Sequence, residues 1–205
     1  MHRSYLYLSS AEAQLSLGLG DDKPSESLFF ALMPPADVAA QALALAQSLL
    51  AGHGLQGRAL AAERLHVTLQ YLGDFPGIPP SLLARAGQAA AQLSLPSFEL
   101  RLDKVGSFGG HRDRRPCVAT GQAAGISGVL GLHAALGQAL LRQGLLRHGL
   151  PGGARFTPHM TLFYDRQSLP ETTIAPLQWQ VEDLVLIRSL LGQGRYEVEG
   201  RWPLR

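Results

Sequence analysis

Two short stretches, Leu65-His66-Val67-Thr68-Leu69 and Pro158-His159-Met160-Thr161-Leu162, repeat the order His, apolar residue, Thr, Leu in the two halves of the chain. Both stretches continue into further strand-forming residues, which favours a β-strand in each case. Side chains alternate between the two faces of a strand, so each His shares a face with its Thr while the apolar residues point into a core. The repeat therefore predicts a symmetric site of two histidines and two threonines, provided that the fold brings the strands together.

The composition is that of a globular protein. The chain has 205 residues, and this length is sufficient for one domain or two small lobes. Of these residues 46% are hydrophobic and 17% are charged, and the net charge is only +2. Lys23 and Lys104 are its only lysines, so nearly all basic residues are Arg. This preference for Arg reflects either genome composition or the better fit of the guanidinium group to phosphate. The single cysteine, Cys117, excludes an internal disulfide and favours a cytoplasmic location. No apolar run approaches the ~20 residues of a membrane span, and no signal peptide is recognisable.

Hydrophobic periodicity and turn residues predict a poorly ordered extension over residues 1–26 and a single domain over residues 27–205. Helices are expected at 36–50, from a candidate cap at Ser81 to about residue 93, and at 126–146, where several glycines interrupt the pattern. Strands are expected at 28–32, 65–72, 98–102, 117–120, 156–164, 181–191 and 196–202. Each half thus contains helices and one His-Thr strand, which predicts an α+β fold of two antiparallel sheet-and-helix lobes around a central cleft.

Two histidines without further metal ligands are typical of acid-base catalysis. With an ordinary pKa near 6.5, one imidazole can be neutral while the other is charged at neutral pH. Nearby hydroxyls can donate hydrogen bonds to phosphate oxygens and stabilise developing charge. His66 and His159 are therefore candidate catalytic residues and Thr68 and Thr161 candidate phosphate ligands. The chemistry suits a strained phosphodiester such as a 2′,3′-cyclic phosphate. A single His-Thr pair in a strand is usually structural, but two copies in two halves favour function.

The residues resemble the 2H phosphoesterases, whose name comes from two His-x-Thr-x motifs. Within that superfamily the sequence is similar to the RNA 2′,3′-cyclic phosphodiesterases, also called 2′-5′ RNA ligases. The resemblance extends from about Leu28 to the C-terminus and includes the stretches 28–31, 65–73, 156–162, 196–198 and 202–204.

The resemblance implies a bilobal fold with pseudo-two-fold symmetry and the hydrolysis of RNA or nucleotide 2′,3′-cyclic phosphates to 2′-phosphomonoesters. It implies that His66 donates a proton to the leaving ribose oxygen, that His159 activates water, and that Thr68 and Thr161 hold the phosphate. Neither a metal nor a nucleotide cofactor is implied, and reversible 2′-5′ RNA ligation is left open. We expect a cytoplasmic monomer that acts in RNA processing without contacting a membrane.

Three further residues are candidate substrate contacts. Some members of the family carry Arg two residues beyond the Leu of the second motif, where this chain has Tyr164. Arg155, just upstream of the second motif, is a candidate source of the missing cation. Phe108, beside two glycines, either stacks on a base or anchors its own loop.

Competing functions have weaker support in the sequence. A metal site is disfavoured because neither histidine lies in a His-Glu-x-x-His or Cys-x-x-Cys pattern. An ATP-dependent ligase is disfavoured because the chain has no Gly-x-x-x-x-Gly-Lys loop. The remaining alternative is a non-catalytic nucleotide- or RNA-binding module that uses the same cleft, which would bind a cyclic nucleotide without converting it.

Overall fold

The computed structural model describes residues 23–109, 113–146 and 156–205, so most of the expected extension lies outside the described residues. The helices are α1 (Ala36–Gly52), α2 (Pro80–Ala91) and α3 (Ala123–Arg142). The strands are β1 (Glu26–Leu32), β2 (Val67–Phe75), β3 (Phe98–Ser107), β4 (Arg115–Thr120), β5 (His159–Asp165), β6 (Thr172–Val181), β7 (Asp183–Leu190) and β8 (Arg195–Pro203). A 3₁₀ turn at Ala62–Arg64 precedes β2.

The strands form one antiparallel sheet in the order β6-β3-β4-β5-β2-β1-β7-β8. This confirms the α+β class and the two lobes, because β2-β1-β7-β8 and β5-β4-β3-β6 are equivalent halves. In each half the His-Thr strand follows a strand and a helix, as β1-α1-β2 or as β4-α3-β5. The halves are joined edge to edge between β2 and β5, so they form one continuous sheet.

The helices cover one face of the sheet. Val67, Leu69, Met160 and Leu162, which the alternation predicted to be core residues, are buried in the main hydrophobic cluster. α1 packs against β5 and β6, and α3 packs against β2 and β3. The opposite face of β1 and β7 carries a smaller apolar cluster of Phe29, Ala31, Val185 and Ile187. The side chains of His66, just before β2, and of Thr68 lie on this second face.

Several sequence-based boundaries were wrong for identifiable reasons. The strand β6 was missed because Pro176 interrupts its alternating pattern. Pro is tolerated there because β6 is an edge strand, where a missing N–H breaks no ladder. Ser81 is not a cap, because α2 begins one residue earlier with Pro80 in its first turn and without any side-chain cap hydrogen bond. β1 begins at Glu26, so the sheet takes in a residue that was assigned to the extension.

The glycines of α3 do not interrupt the helix, which is continuous from Ala123 to Arg142. Two of them allow the helix to approach β3 closely. A Cβ on Gly128 would lie 2.3 Å from the ring of Phe98, and one on Gly125 would lie 2.8 Å from the carbonyl oxygen of Arg101. By length and composition α3 is the one helix among the described residues that could cross a membrane. In this fold its apolar face packs against the sheet through Val129, Leu132, Leu136, Ala139 and Leu140.

Two alanine substitutions in α3 should have opposite effects. Gly131 has open space around its Cα, so Gly131→Ala should stabilise the protein by about 1 kcal/mol through helix propensity alone. Gly128→Ala should instead lower the free energy of unfolding by about 1–3 kcal/mol, because the new methyl group displaces Phe98. Urea unfolding of both variants checks this, and equal stabilisation by the two would contradict the close packing of α3 on β3.

Candidate active site

The two His-Thr motifs meet at a single pair of residues. Val67 of β2 pairs with Met160 of β5 in antiparallel register. The flanking positions of an antiparallel pair are also opposite each other, which places His66 beside Thr161 and Thr68 beside His159. Cβ atoms at such positions are about 5 Å apart. The register therefore brings both histidines and both threonines together on one face, as the repeat in the sequence predicts.

A β-bulge follows each motif at the same position. Leu69 has no partner between the β1–β2 pairs formed by Gln70 and Thr68, and Leu162 has none between the β4–β5 pairs formed by Phe163 and Thr161. An extra residue in a strand reverses the alternation of the side chains beyond it. Tyr71 and Tyr164, five residues after each His, therefore lie on the same face as the motif.

These side chains line a cleft of about 350 Å³. Its residues are Ser27, Phe29, Leu60, Arg64, His66, Thr68, Tyr71, Arg114, His159, Thr161, Tyr164, Ser189 and Tyr196. The cleft contains all four motif residues and Tyr164, which the sequence had singled out. Sequence reasoning missed Phe29, Tyr71, Arg114 and Tyr196 as part of it. Only Tyr71 left a signal, because the repeat extends to a Tyr in both halves.

His66 is held by its own strand and by two aromatic rings. Its Nδ1 donates to the carbonyl oxygen of Arg64 at 2.7 Å, and the hydroxyl of Thr68 is 3.0 Å from its Nε2. A carbonyl oxygen can only accept, so Nδ1 carries the proton and neutral His66 has its lone pair on Nε2. The rings of Phe29 and Tyr196 flank the imidazole, with centroids 5.1 Å and 5.5 Å away. Nε2 is therefore the nitrogen available to a ligand.

His159 is held in the same way in the other half. Its Nδ1 donates to the carbonyl oxygen of Thr157 at 2.8 Å, again two residues upstream of the His. The ring of Phe108 packs edge-on against the imidazole, with the centroids 4.9 Å apart. Phe108 thus contacts a histidine of the cleft, and this contact fixes the orientation of the imidazole. In both histidines Nδ1 is bonded to a backbone carbonyl oxygen, so Nε2 is the nitrogen that can transfer a proton; in His66 it is hydrogen-bonded to the Thr68 hydroxyl.

The environment of His66 disfavours its protonated form. Burial lowers the pKa of His66 below its ordinary value of 6.5, and the positive charges of His159 and Arg64 lower it further, against the opposing effect of the hydrogen bond to the Arg64 carbonyl. An unoccupied cleft therefore favours neutral His66 at neutral pH. A bound anion would reverse this effect, because a negative charge favours the imidazolium form.

Two arginines contribute positive charge to the cleft. The guanidinium carbon of Arg64 is 5.2 Å from the ring centroid of Tyr196, and that of Arg114 is 4.4 Å from the ring centroid of Tyr164. Arg155, the sequence-based candidate for this role, lies outside the described residues. Arg114 directly precedes β4.

A buried carboxylate connects the segment before β2 to β5. Asp165 accepts hydrogen bonds from the backbone N–H groups of Gln167 at 2.8 Å, Gly57 at 2.7 Å and Gln56 at 2.9 Å. These bonds, that of Gln167 foremost, lower the pKa of the Asp165 carboxyl group. Nearby, the N–H of Leu60 donates to the Leu162 carbonyl oxygen at 2.8 Å. The contact reinforces the short junction between the halves.

The side chains of the cleft suit acid-base chemistry on an anionic ester. Two imidazoles can exchange protons, two hydroxyls can donate to phosphate oxygens, and two guanidinium groups can offset negative charge. Among the described residues, no three His, Cys, Asp or Glu side chains are grouped as metal ligands.

Comparison with known proteins agrees with this geometry. The model of the 2′-5′ RNA ligase superfamily matches residues 30–193, which include both motifs. The chain is 29% identical over 185 residues to the RNA 2′,3′-cyclic phosphodiesterase of Escherichia coli (strain K12), and the alignment covers 87% of this chain and 97% of that protein.

Solved structures share the fold. The protein TT0787 of Thermus thermophilus superposes with a TM-score of 0.70 at 26% identity, covering 87% of this chain and 98% of that one. E. coli LigT in its apo form gives a TM-score of 0.67 at 27% identity, and its complex with 3′-AMP gives 0.66 at 28%. Both LigT comparisons cover 89% of this chain and 99% of the other.

An NMR titration should detect the environment of His66. We expect its imidazole to titrate below 6.5 and to titrate at higher pH in His159→Asn, which removes a repelling charge. Because the pKa is lower in the folded than in the unfolded state, the free energy of unfolding should fall as the pH decreases from about 6.5 through the lowered pKa. A His66 pKa at or above 6.5 in the unliganded protein would contradict this description.

Proposed function

The chain belongs to the 2′-5′ RNA ligase superfamily, and on that premise we propose that it hydrolyses RNA and nucleotide 2′,3′-cyclic phosphates to 2′-phosphomonoesters by acid-base catalysis with two histidines. The observation that carries the proposal is the Val67–Met160 register, which brings both motifs to one face. The name of the E. coli relative, RNA 2′,3′-cyclic phosphodiesterase, supports the substrate class. The complex of LigT with 3′-AMP supports recognition of a nucleotide phosphate.

In the proposed reaction, His159 Nε2 removes a proton from water, whose oxygen attacks phosphorus. The bond from phosphorus to O3′ breaks, and protonated His66 donates its Nε2 proton to O3′. Thr68 and Thr161 donate hydrogen bonds to the phosphoryl oxygens as negative charge accumulates there. The products are a 2′-phosphomonoester and a free 3′-hydroxyl. If a 5′-hydroxyl of a second RNA replaced water, the same steps would form a 2′-5′ linkage.

The lowered pKa of His66 gives the substrate a part in this mechanism. In the empty cleft the lowered pKa favours the neutral form of His66, which lacks the Nε2 proton that an acid would donate. A bound phosphodiester anion offsets the charges of His159 and Arg64, so His66 can take up the proton that it later donates. Substrate binding and protonation of His66 are thereby coupled.

The proposal extends to the rest of the chain. The segment from the start of β1 to the C-terminus, residues 26–205, acts as a single bilobal domain. The enzyme is a cytoplasmic monomer that needs neither metal nor nucleotide cofactor, and its partners are RNA ends or nucleotides with a 2′,3′-cyclic phosphate.

Removing either imidazole should abolish turnover. His66→Ala and His159→Ala should each lower kcat for a 2′,3′-cyclic nucleotide by about 10²–10⁴-fold, the usual contribution of an acid or base. The assay includes a chelator, and the product isomer is identified by chromatography. His53→Ala, which alters an exposed residue after α1, is the matched control and should keep full activity.

Near-normal turnover in either cleft variant, with the fold retained, would refute the mechanism. Saturable binding of the cyclic nucleotide without any product would instead indicate the non-catalytic binding module.

A substrate with a better leaving group should distinguish the roles of the two histidines. A p-nitrophenyl phosphodiester releases a phenolate that needs no protonation. If His66 is the acid, His66→Ala should lose much less activity towards this substrate than towards the cyclic nucleotide. His159→Ala should lose activity towards both substrates to a similar extent. The opposite pattern would exchange the two roles.

A further inference from the structure

The ring of Tyr164 is covered on one face by the guanidinium group of Arg114, 4.4 Å from its centroid, and both residues line the cleft that contains His159. Pro116 of β4 pairs with Tyr164 of β5, which places the residue that precedes β4 beside the ring. The bulge at Leu162 turns the ring towards the cleft. Arg114 is exposed, so the stacked guanidinium keeps N–H groups available to a ligand.

The equivalent position in the other half has the opposite charge. Tyr71 also follows a bulge and lines the cleft. Burial and a hydrogen bond to the Asp74 carboxylate raise the pKa of its hydroxyl. The Asp74 carboxylate also accepts a hydrogen bond from the Ser27 hydroxyl at 2.5 Å. The pseudo-two-fold cleft is therefore electrostatically polar, with a cation at the Tyr164 end and a carboxylate at the Tyr71 end.

The position of Arg114 differs from that of the other cation. Arg64 adjoins the reacting centre, because its carbonyl oxygen binds His66 and its charge acts on that imidazole. Arg114 is stacked on a residue three positions beyond Thr161, which along a strand corresponds to about 10 Å. Arg64 is therefore placed to act on a phosphate held beside His66, whereas Arg114, at the Tyr164 end of the cleft, is placed to contact a second anionic group.

Building on the function proposed above, we propose that Arg114, oriented by Tyr164, is a specificity-determining residue that binds the 5′-phosphate of the nucleoside carrying the cyclic phosphate. Every RNA 3′ end has a phosphate at this position, whereas a simple nucleoside 2′,3′-cyclic phosphate lacks it. The 5′ oxygen lies across the ribose from the 2′ and 3′ oxygens, which matches two cationic subsites separated along the cleft. The enzyme thereby prefers RNA ends to cyclic mononucleotides without a 5′-phosphate.

Two substrates that differ by one phosphate test this assignment. We compare kcat/KM for adenosine 2′,3′-cyclic phosphate with kcat/KM for the same compound bearing a 5′-phosphate. The 5′-phosphate should raise kcat/KM of the unaltered protein by about tenfold, the effect expected of one charge-assisted hydrogen-bonded contact. Arg114→Gln should remove this advantage, mainly through KM, and should lower kcat/KM of the phosphorylated compound more than that of the unphosphorylated one.

Further variants separate a direct contact from a general charge effect. Arg166→Gln is the matched control, because Arg166 is exposed, adjoins Asp113 at 4.0 Å and does not line the cleft. It should keep the preference for the 5′-phosphate. Tyr164→Phe retains the ring and should also keep it, whereas Tyr164→Ala should lose most of it. In the Tyr164→Ala background, Arg114→Gln should have little further effect, since the guanidinium is no longer oriented.

Each result decides the proposal. A preference for the 5′-phosphate that disappears in Arg114→Gln and persists in Arg166→Gln supports it. Equal losses on both substrates in Arg114→Gln would assign Arg114 to the reacting phosphate instead, and no loss on either would remove it from the site; both overturn the proposal. Absence of turnover of both compounds by the unaltered protein would refute the proposed hydrolysis and this inference with it.

Discussion

The pairing of Val67 with Met160 is the contact on which the site depends. Each half-sheet places one His and one Thr on its surface, but neither half has a complete site. Because the side-chain period of a strand is two, a slip of one residue between β2 and β5 would turn one motif into the core. The junction between β2 and β5 is short, and hydrogen bonds from the segment before β2 stabilise it. There Asp165 binds two backbone N–H groups of that segment, and Leu60 bonds to β5. The precision of the site comes from this seam and from the shared anchoring of both Nδ1 atoms.

The paired bulges show how a repeated motif yields an asymmetric site. They direct a tyrosine into the cleft from each half, so the backbone geometry is nearly two-fold. The side chains around those tyrosines are not symmetric. Arg114 lies on the ring of Tyr164, whereas the Asp74 carboxylate binds the hydroxyl of Tyr71. His66 is also enclosed by Phe29 and Tyr196, whereas His159 contacts Phe108. A symmetric framework can thus hold two imidazoles in different surroundings and a substrate with a defined direction.

Much of this arrangement was predictable from local pattern, and the remainder depends on pairing. The His-Thr strands, their buried faces and the two-lobed α+β class follow from period-two alternation and from the repeat. The bulges do not, because an unpaired residue is defined by the partner strand and leaves no mark in its own sequence. Arg114 was missed for a related reason, since only the pairing of Pro116 with Tyr164 brings it to the cleft. β6 was missed because Pro176 is acceptable only on an edge strand, and edges are set by topology. Arg155 lies outside the described residues, so its role stays a prediction.

The order of the strands has a consequence for biosynthesis. The half that carries His159 is built from β3 to β6, one continuous segment, whereas the half that carries His66 combines β1 and β2 with β7 and β8 from the end of the chain. On the ribosome, the half that carries His159 can complete its four strands while β1 still lacks its neighbour β7. Tyr196, which packs on His66, lies in the last strand to emerge. A chain that stopped before β8 would therefore carry His159 in a completed half-sheet and His66 without the ring of Tyr196 beside it.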